Sequence, residues 1–191
     1  HRDLHSFPTR RSSDLASDIE AVLRLAERRR LKVMIVGGAE GWMVADLLAK
    51  AKVPVVIRPF VVGAGSFDQV HGRDDNGALL RAAGVPVIIG AFDTHNARTL
   101  RFIAGNAVRG GMSHADALAA ITSAPAAVFG LSGQGRVEAG AMADLALWTG
   151  DPLDTPGRLA GLWIGGVRQP EATRQTELVD RWRDLTPIWA R

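Results

Sequence analysis

The stretch VPVIIGAFDTHNARTLRF, Val85 to Phe102, decides how the chain is read. Its β-branched residues Val85, Val87, Ile88 and Ile89 favour a strand. Gly90 and Ala91 end that strand, Asp93 and His95 follow, and a helical segment begins near Asn96. An acid at the mouth of a buried strand has two roles open to it. It can ligate a catalytic metal, or it can cap the next helix, a role Thr94 and Asn96 could also fill.

Working outward, helix-like and strand-like segments alternate. Ser17-Asp18 is expected to cap a helix through IEAVLRLAERRR, whose Ile19, Val22, Leu23 and Ala26 recur at helical spacing. LKVMIV (31–36) reads as a strand ended by Gly37-Gly38, and EGWMVADLLAKAK as a helix with Trp42, Ala45, Leu48 and Ala49 on one face. VPVVIRPF (53–60) is a second strand, followed by a Gly-rich loop, VVGAGSFDQVHGR, and the helix DDNGALLRAAG. VPVIIGA (85–91) is the third strand, with NARTLRFIAGNAVRGG as the helix behind it. Strands separated by single helices imply βαβ units and a parallel sheet. Such a sheet suits a doubly wound fold or part of a (β/α)8 barrel. No Gly-x-Gly-x-x-Gly opens a helix, which counts against dinucleotide binding. Polar residues lie just after the strands instead, where barrel enzymes build their sites.

After about Ser113 the pattern changes. SHADALAAIT is a short helix with Ser113 as N-cap, and SAPAAVFGL a Pro-opened helical turn closed by Gly130. RVEAGAMADLALW, GDPLD and LAGLWIGGVRQ read as β-structure with tight turns, and EATRQTELVDRWRDL as a polar helix.

Bulk properties narrow the classes. Of the 191 residues, 47% are hydrophobic and 23% charged, a globular balance. The net charge of +3 is small and its basic residues are scattered, so no nucleic-acid partner is expected. No run approaches the roughly 20 apolar residues of a membrane helix, so no membrane partner is expected either. Cysteine is absent, which removes disulfides, thiol nucleophiles and zinc-thiolate sites.

The opening residues read differently from the rest. HSFPTRRSSDL (His5 to Leu15) resembles one reading frame of a widely used sequencing-library adapter, codon by codon. Residues 1–15 are therefore expected to be non-native and outside the fold, with the natural gene cut open near Ala16.

Two further segments carry a family resemblance: GAFDTHNARTLRFIAGNAVRGGMSHADALAAITSAPAAVFGL and GRVEAGAMADLALWTGDPLD. With IVGGAEGWMVADLLAKAKVPVVI they resemble the metal-dependent amidohydrolase superfamily, in its imidazolonepropionase-like branch, over nearly everything from Ala16 to Arg191. The resemblance implies an α/β fold, the C-terminal part of a (β/α)8 TIM-type barrel (about strands six to eight) plus the C-terminal portion of a small β-sandwich. The implied division is 16–130 partial barrel, 131–170 sandwich return segment, and 171–191 polar helical tail.

It also implies roles. Asp93 stands where the family has its eighth-strand acid, a metal ligand and the proton shuttle in attack by metal-activated water. His95 and Asn96 stand where the family shows a polar pair, as substrate contacts or, for His95, as a partner of Asp93. The implied cofactor is a divalent metal, zinc first. Gly37 departs from the family, which places a metal-binding His there within His-Gly-x-Glu; here the stretch reads GGAE. Glu40 could reach the site, but is read first as a first-turn helix acid favoured by the helix dipole, and His71 as a surface His in a loop over the barrel mouth. Trp42 and Trp148 are read as packing residues and Asp144 as bonding turn amides.

The expected activity is hydrolysis of a non-peptide C–N bond in a cyclic amide or a small amide- or peptide-like molecule. The expected partner is that small-molecule substrate, with homo-oligomerisation of a full-length parent left open. The competing expectation is an inactive fragment or a degenerate amidohydrolase-fold binding protein, since half a barrel lacks most ligands and leaves strand edges unpaired.

Overall fold

The computed structural model describes residues 9–59 and 66–183. Of the segments read above, residues 1–8, Phe60 with the first part of the Gly-rich loop, and the end of the tail helix lie outside them.

Four parallel strands form the main sheet in the order β1-β2-β3-β4: β1 (Thr9–Ser13), β2 (Val33–Gly37), β3 (Val55–Ile57) and β4 (Val87–Ile89). The register runs Val36↔Val56↔Ile88 across the last three. Helices α1 (Ala16–Arg29), α2 (Ala45–Ala51) and α3 (Asn76–Ala82) are the crossovers, and α4 (Leu100–Arg109), α5 (His114–Ile121) and α6 (Ser123–Val128) follow β4. Spatial order equals chain order, without the reversal that makes a doubly wound sheet.

One apolar cluster explains the winding. Val33, Ile35, Val55, Ile57, Val87 and Ile89 pack with Ile19 of α1, Leu48 of α2, Leu80 of α3 and Ala104 and Ala107 of α4. Alternate strand residues turn to the opposite face, and Met34, Val36 and Ile88 are buried without joining that cluster. All the crossover helices therefore cover one side of the sheet.

The strand that the sequence reading set outside the fold is β1. Its TRRSS sequence has no apolar period, yet it pairs with β2 from Thr9↔Val33 to Ser13↔Gly37. Backbone hydrogen bonding holds it, and that leaves no mark in a hydrophobic pattern. The expected cap at Ser17-Asp18 is corrected too. Both residues lie inside α1, and Leu15 holds the N-cap position with no capping side chain. Ser113 does cap α5, accepting the Asp116 N–H at 3.0 Å.

The β-structure after α6 is a three-stranded antiparallel sheet, β5 (Leu145–Trp148), β6 (Leu159–Ile164) and β7 (Val167–Arg168), trailed by α7 (Arg174–Trp182). Asp144 accepts the Gly165 N–H at 2.7 Å in the β6–β7 turn, as expected of it. The loop between β5 and β6 ties this sheet to the helices. Leu153 is buried in the main cluster, and Arg101 of α4 donates to the carbonyls of Pro152 (3.0 Å) and Asp154 (2.7 Å). The same guanidinium lies over Phe102 and Trp148, 3.8 and 4.8 Å from their ring centroids. His114 closes the joint on Asp151 at 2.9 Å. Gly105 leaves room for this loop, since a Cβ there would run into the Leu153 carbonyl. Gly105→Ala gains up to about 1 kcal/mol of helix propensity and costs about 1–3 kcal/mol of overpacking against rigid backbone. The net expectation is a lower urea midpoint; an unchanged or higher one would show that the loop yields.

Candidate functional site

Asp93 lies four residues past β4, at the carboxyl end of the parallel strands, and the chain turns sharply to present it. Phe92, just before it, has φ 61°, in the left-handed region. Among the described residues the other two non-glycine residues with positive φ, Arg30 and Lys52, close α1 and α2. Phe92 has no helix end to close. A bulky side chain held there costs on the order of 1–3 kcal/mol, and such costs concentrate at working sites.

The structure bears on the capping role first considered for Asp93. It sits at the N-cap position of the 3-10 turn Thr94–Thr99, yet its side chain makes no capping hydrogen bond. Its carboxylate instead lies 4.0 Å from the Arg58 guanidinium and accepts a 3.4 Å hydrogen bond from Asn96 Nδ2. The Asp93 and Arg58 side chains are 42% and 46% exposed, so the pair stands open to solvent. Arg58 follows β3 directly and would align with Gly38 and Gly90 if the strand register continued. The backbone on either side thus carries no side chain to crowd it. Asn96 joins the Asp93 cluster. His95 is exposed, and its side chain makes no hydrogen bond among the described residues.

A second polar cluster lies on the same edge, after β2, and pairs two residues that the sequence reading took one by one. Glu40 stands at the N-cap position of the 3-10 turn Gly41–Val44, just before the first turn where it was expected, and its side chain is only 9% exposed. One carboxylate oxygen accepts the Ala16 N–H at 2.8 Å, and the other meets His71 Nδ1 at 2.7 Å. Ala16 opens α1, so Glu40 satisfies an orphan amide that Leu15 cannot cap. His71 is a surface residue, as expected, with its side chain 63% exposed, yet its loop is tied down. Its carbonyl accepts from Trp42 Nε1 at 3.0 Å, and Gln69 in the same loop donates to Asp14 at 3.0 Å. Asp14 also accepts the Ala39 N–H at 3.2 Å. The loops after β1, β2 and β3 are thereby laced together. Buried Asn76 adds to this by donating to the Gly38 carbonyl at 2.9 Å. The partners are 31 or more residues apart in the laced pairs of Glu40–His71 and Gln69–Asp14, beyond the reach of any local pattern.

Hydrogen bonds set the charge state of Glu40. The Ala16 amide, and then His71, hold its carboxyl below the usual glutamate value. A group depressed in the fold contributes stability that is fully present above its unfolded pKa and is lost as pH falls through the lower folded value. Acid titration of the denaturation midpoint should therefore fall more steeply below about pH 4.3 in the wild type than in Glu40→Gln. Equal slopes would remove Glu40 from the acid response.

Gly37 bears directly on metal binding. Its φ is +103°, and a Cβ there would run into the Asp14 carboxylate. A histidine at 37 would be held in a strained backbone conformation and would displace the Asp14 carboxylate. No group of three or more His, Asp or Glu among the described residues is placed to hold a metal ion. A catalytic zinc usually takes three protein ligands, so the described residues do not fit one by themselves. A groove of about 480 Å³ lies elsewhere, between α1 and α2, lined by Leu23, Leu31, Leu47 and Val53 with Glu20 and Lys50 among its charged lining residues. It shares no residue with either polar cluster.

Known proteins align with this geometry. A solved amidohydrolase from Thermotoga maritima MSB8 superposes with a TM-score of 0.77 at 29% identity, over 84% of this chain and 43% of its own. Another solved amidohydrolase, at 20% identity, matches with a TM-score of 0.57 over 84% of this chain and 44% of its own, a likeness of fold alone. Amidohydrolase tasK of Hapsidospora irregularis is 30% identical over 100 residues, 51% of this chain and 10% of that protein. The chain thus spans less than half the length of each of these relatives. The profile described as Amidohydrolase family matches residues 70–168, from the end of the laced loop through Asp93 to the last strand of the small sheet. The chain belongs to the amidohydrolase family.

Proposed function

We propose that this chain is part of a hydrolase of the amidohydrolase type, acting on a non-peptide C–N bond in a cyclic amide or a small amide- or peptide-like molecule, in the imidazolonepropionase-like branch. In this reading β2, β3 and β4 are barrel strands six, seven and eight, and the antiparallel sheet is the return segment of the flanking sandwich. Sequential strand order with the crossover helices on one face supports that assignment. The observation that carries the function is Asp93: a solvent-open carboxylate at the strand ends, freed from capping and preceded by a strained turn.

Family chemistry uses a divalent metal, zinc first, to activate water. Asp93 would give that metal one ligand, and the others would come from outside the described residues. The chain's own contribution is then to hold and move a proton. Asp93 takes the proton of the attacking water and delivers it to the leaving nitrogen, while Asn96, donating to the carboxylate, steadies its orientation. His95, exposed beside them, contacts substrate.

The test is turnover of small cyclic and linear amides, with zinc content measured in the same samples. It is run on this chain and on the longest reading frame containing it. Zinc-dependent turnover that a chelator abolishes and zinc restores supports the reading. Turnover indifferent to chelation, or none in either protein, rejects it. A second reading, a binding protein on the same fold, draws on the inability of position 37 to present a ligand. It predicts amide binding without zinc or turnover.

A further inference from the structure

Within the described residues, the Glu40–His71 pair is built more tightly than anything around Asp93, and the hydrolytic reading leaves it without a task. Glu40 is buried and bonded through both oxygens, one to the Ala16 amide and one to His71 Nδ1. A carboxylate can only accept hydrogen bonds. The proton in the 2.7 Å contact therefore belongs to Nδ1, and the neutral ring is left with its lone pair on Nε2. The His71 side chain is 63% exposed, so Nε2 has access to solvent while Nδ1 is fixed.

The ring's backbone is held as well. Trp42 Nε1 bonds the His71 carbonyl, and the Gly72 amide donates to the Gln69 carbonyl at 2.9 Å. The charged neighbours are spoken for. Arg73 lies over the Trp42 ring, 4.8 Å from its centroid, and forks onto both oxygens of Asp75 at 2.7 Å. Asp14 is bonded to Gln69 and the Ala39 amide. Asp68 and Asp74 are exposed. A mere strap over the strand ends would need only one hydrogen bond from the loop to the end of β2, and Trp42 already provides one. A buried, doubly bonded carboxylate behind an exposed imidazole is the arrangement that fixes the tautomer and orientation of the ring.

We propose that Glu40 and His71 form a proton-transfer dyad, with His71 Nε2 as the acceptor for a protic group, a water or the N–H or O–H of a bound amide. The proton moves from that oxygen or nitrogen to Nε2, the imidazolium is balanced by the Glu40 carboxylate, and the proton returns to the departing group. Both clusters lie at the carboxyl edge of the sheet, Glu40 after β2 and Asp93 after β4 with β3 between. Neighbouring strands are about 4.8 Å apart, so about 10 Å separates the two strand ends. One small substrate can reach across that span.

Imidazole nitrogen NMR at pH 8 on this chain is the first test, and it requires no activity. His71 should show a protonated Nδ1 and a bare Nε2, whereas Glu40→Gln should lose that bias. A protonated Nε2 in the wild type overturns the proposal. The second test rests on the hydrolytic reading and uses His71→Gln, whose amide can still donate to Glu40 and keep the loop in place. Melting should stay at the wild-type value, while turnover falls at least about 100-fold and the acid limb of the pH–rate profile disappears. Wild-type rate and profile in His71→Gln overturn the dyad. If no amide is turned over at all, the hydrolytic reading fails, and the NMR result alone decides the dyad.

Discussion

Asp93→Asn is expected to reduce amide turnover by about 10² to 10⁴-fold, the usual contribution of a positioned acid–base group, with the fold intact. The two effects separate because Asp93 does so little for stability. It caps no helix through its side chain, and its contacts are a 4.0 Å ion pair and a 3.4 Å hydrogen bond, both open to water. Exposed pairs of this kind are worth about 0–1 kcal/mol. The variant should therefore melt within a few degrees of the wild type while losing activity. Zinc content, measured together with turnover, separates two routes to that loss: fewer ions per chain indicates a missing ligand, and unchanged content a missing proton carrier. Wild-type turnover in the variant would dismiss Asp93 as a working residue.

The second large effect belongs to the core. Leu80 is completely buried on the inner side of α3, in the cluster that joins the helices to β2, β3 and β4. Leu80→Ala removes its side chain and leaves a cavity between helix and sheet, at a cost of about 2–5 kcal/mol. That is a large share of the roughly 5–15 kcal/mol by which a domain is stable, and part of the population should unfold at ordinary temperature. The adjacent Leu79, 36% exposed, is the control; Leu79→Ala should cost clearly less. Urea midpoints of the two variants decide. Equal midpoints would mean that α3 does not seat the sheet in the way the buried cluster indicates.

What the sequence disclosed depended on whether a signal was local. The apolar runs Val33–Val36, Val55–Ile57 and Val87–Ile89 became strands where expected, because buried parallel strands need continuous apolar sequence. Ser113 was readable as a cap from residues three positions apart. The polar strand β1 was not readable, since it is joined to the sheet through its backbone. The pairing of Glu40 with His71 was not readable, because each looks ordinary alone and only the fold brings them together. His114, given no role from sequence, meets Asp151 thirty-seven residues away. That contact, followed by the Leu153 amide, holds the Asp151 carboxyl below its usual range. The position of Asp93 was legible from its place after a buried strand. Its strained approach through Phe92 was not, because a left-handed φ at phenylalanine is imposed by the surroundings.

The joint between α4 and the β5–β6 loop also bears on how the molecule comes apart. The small sheet buries little of itself: both ends of β5 are only half-buried and its middle residues are exposed. Its attachment is one leucine seated over a glycine, with an arginine and a histidine fastening the loop from α4 and α5. If Leu153 leaves, the sheet loses its anchor and the core loses a wall beside Ala104 and Ala107 together. Two sheets that share no strand are therefore expected to melt in a single calorimetric transition. Their cooperativity passes through a side chain that belongs to neither sheet.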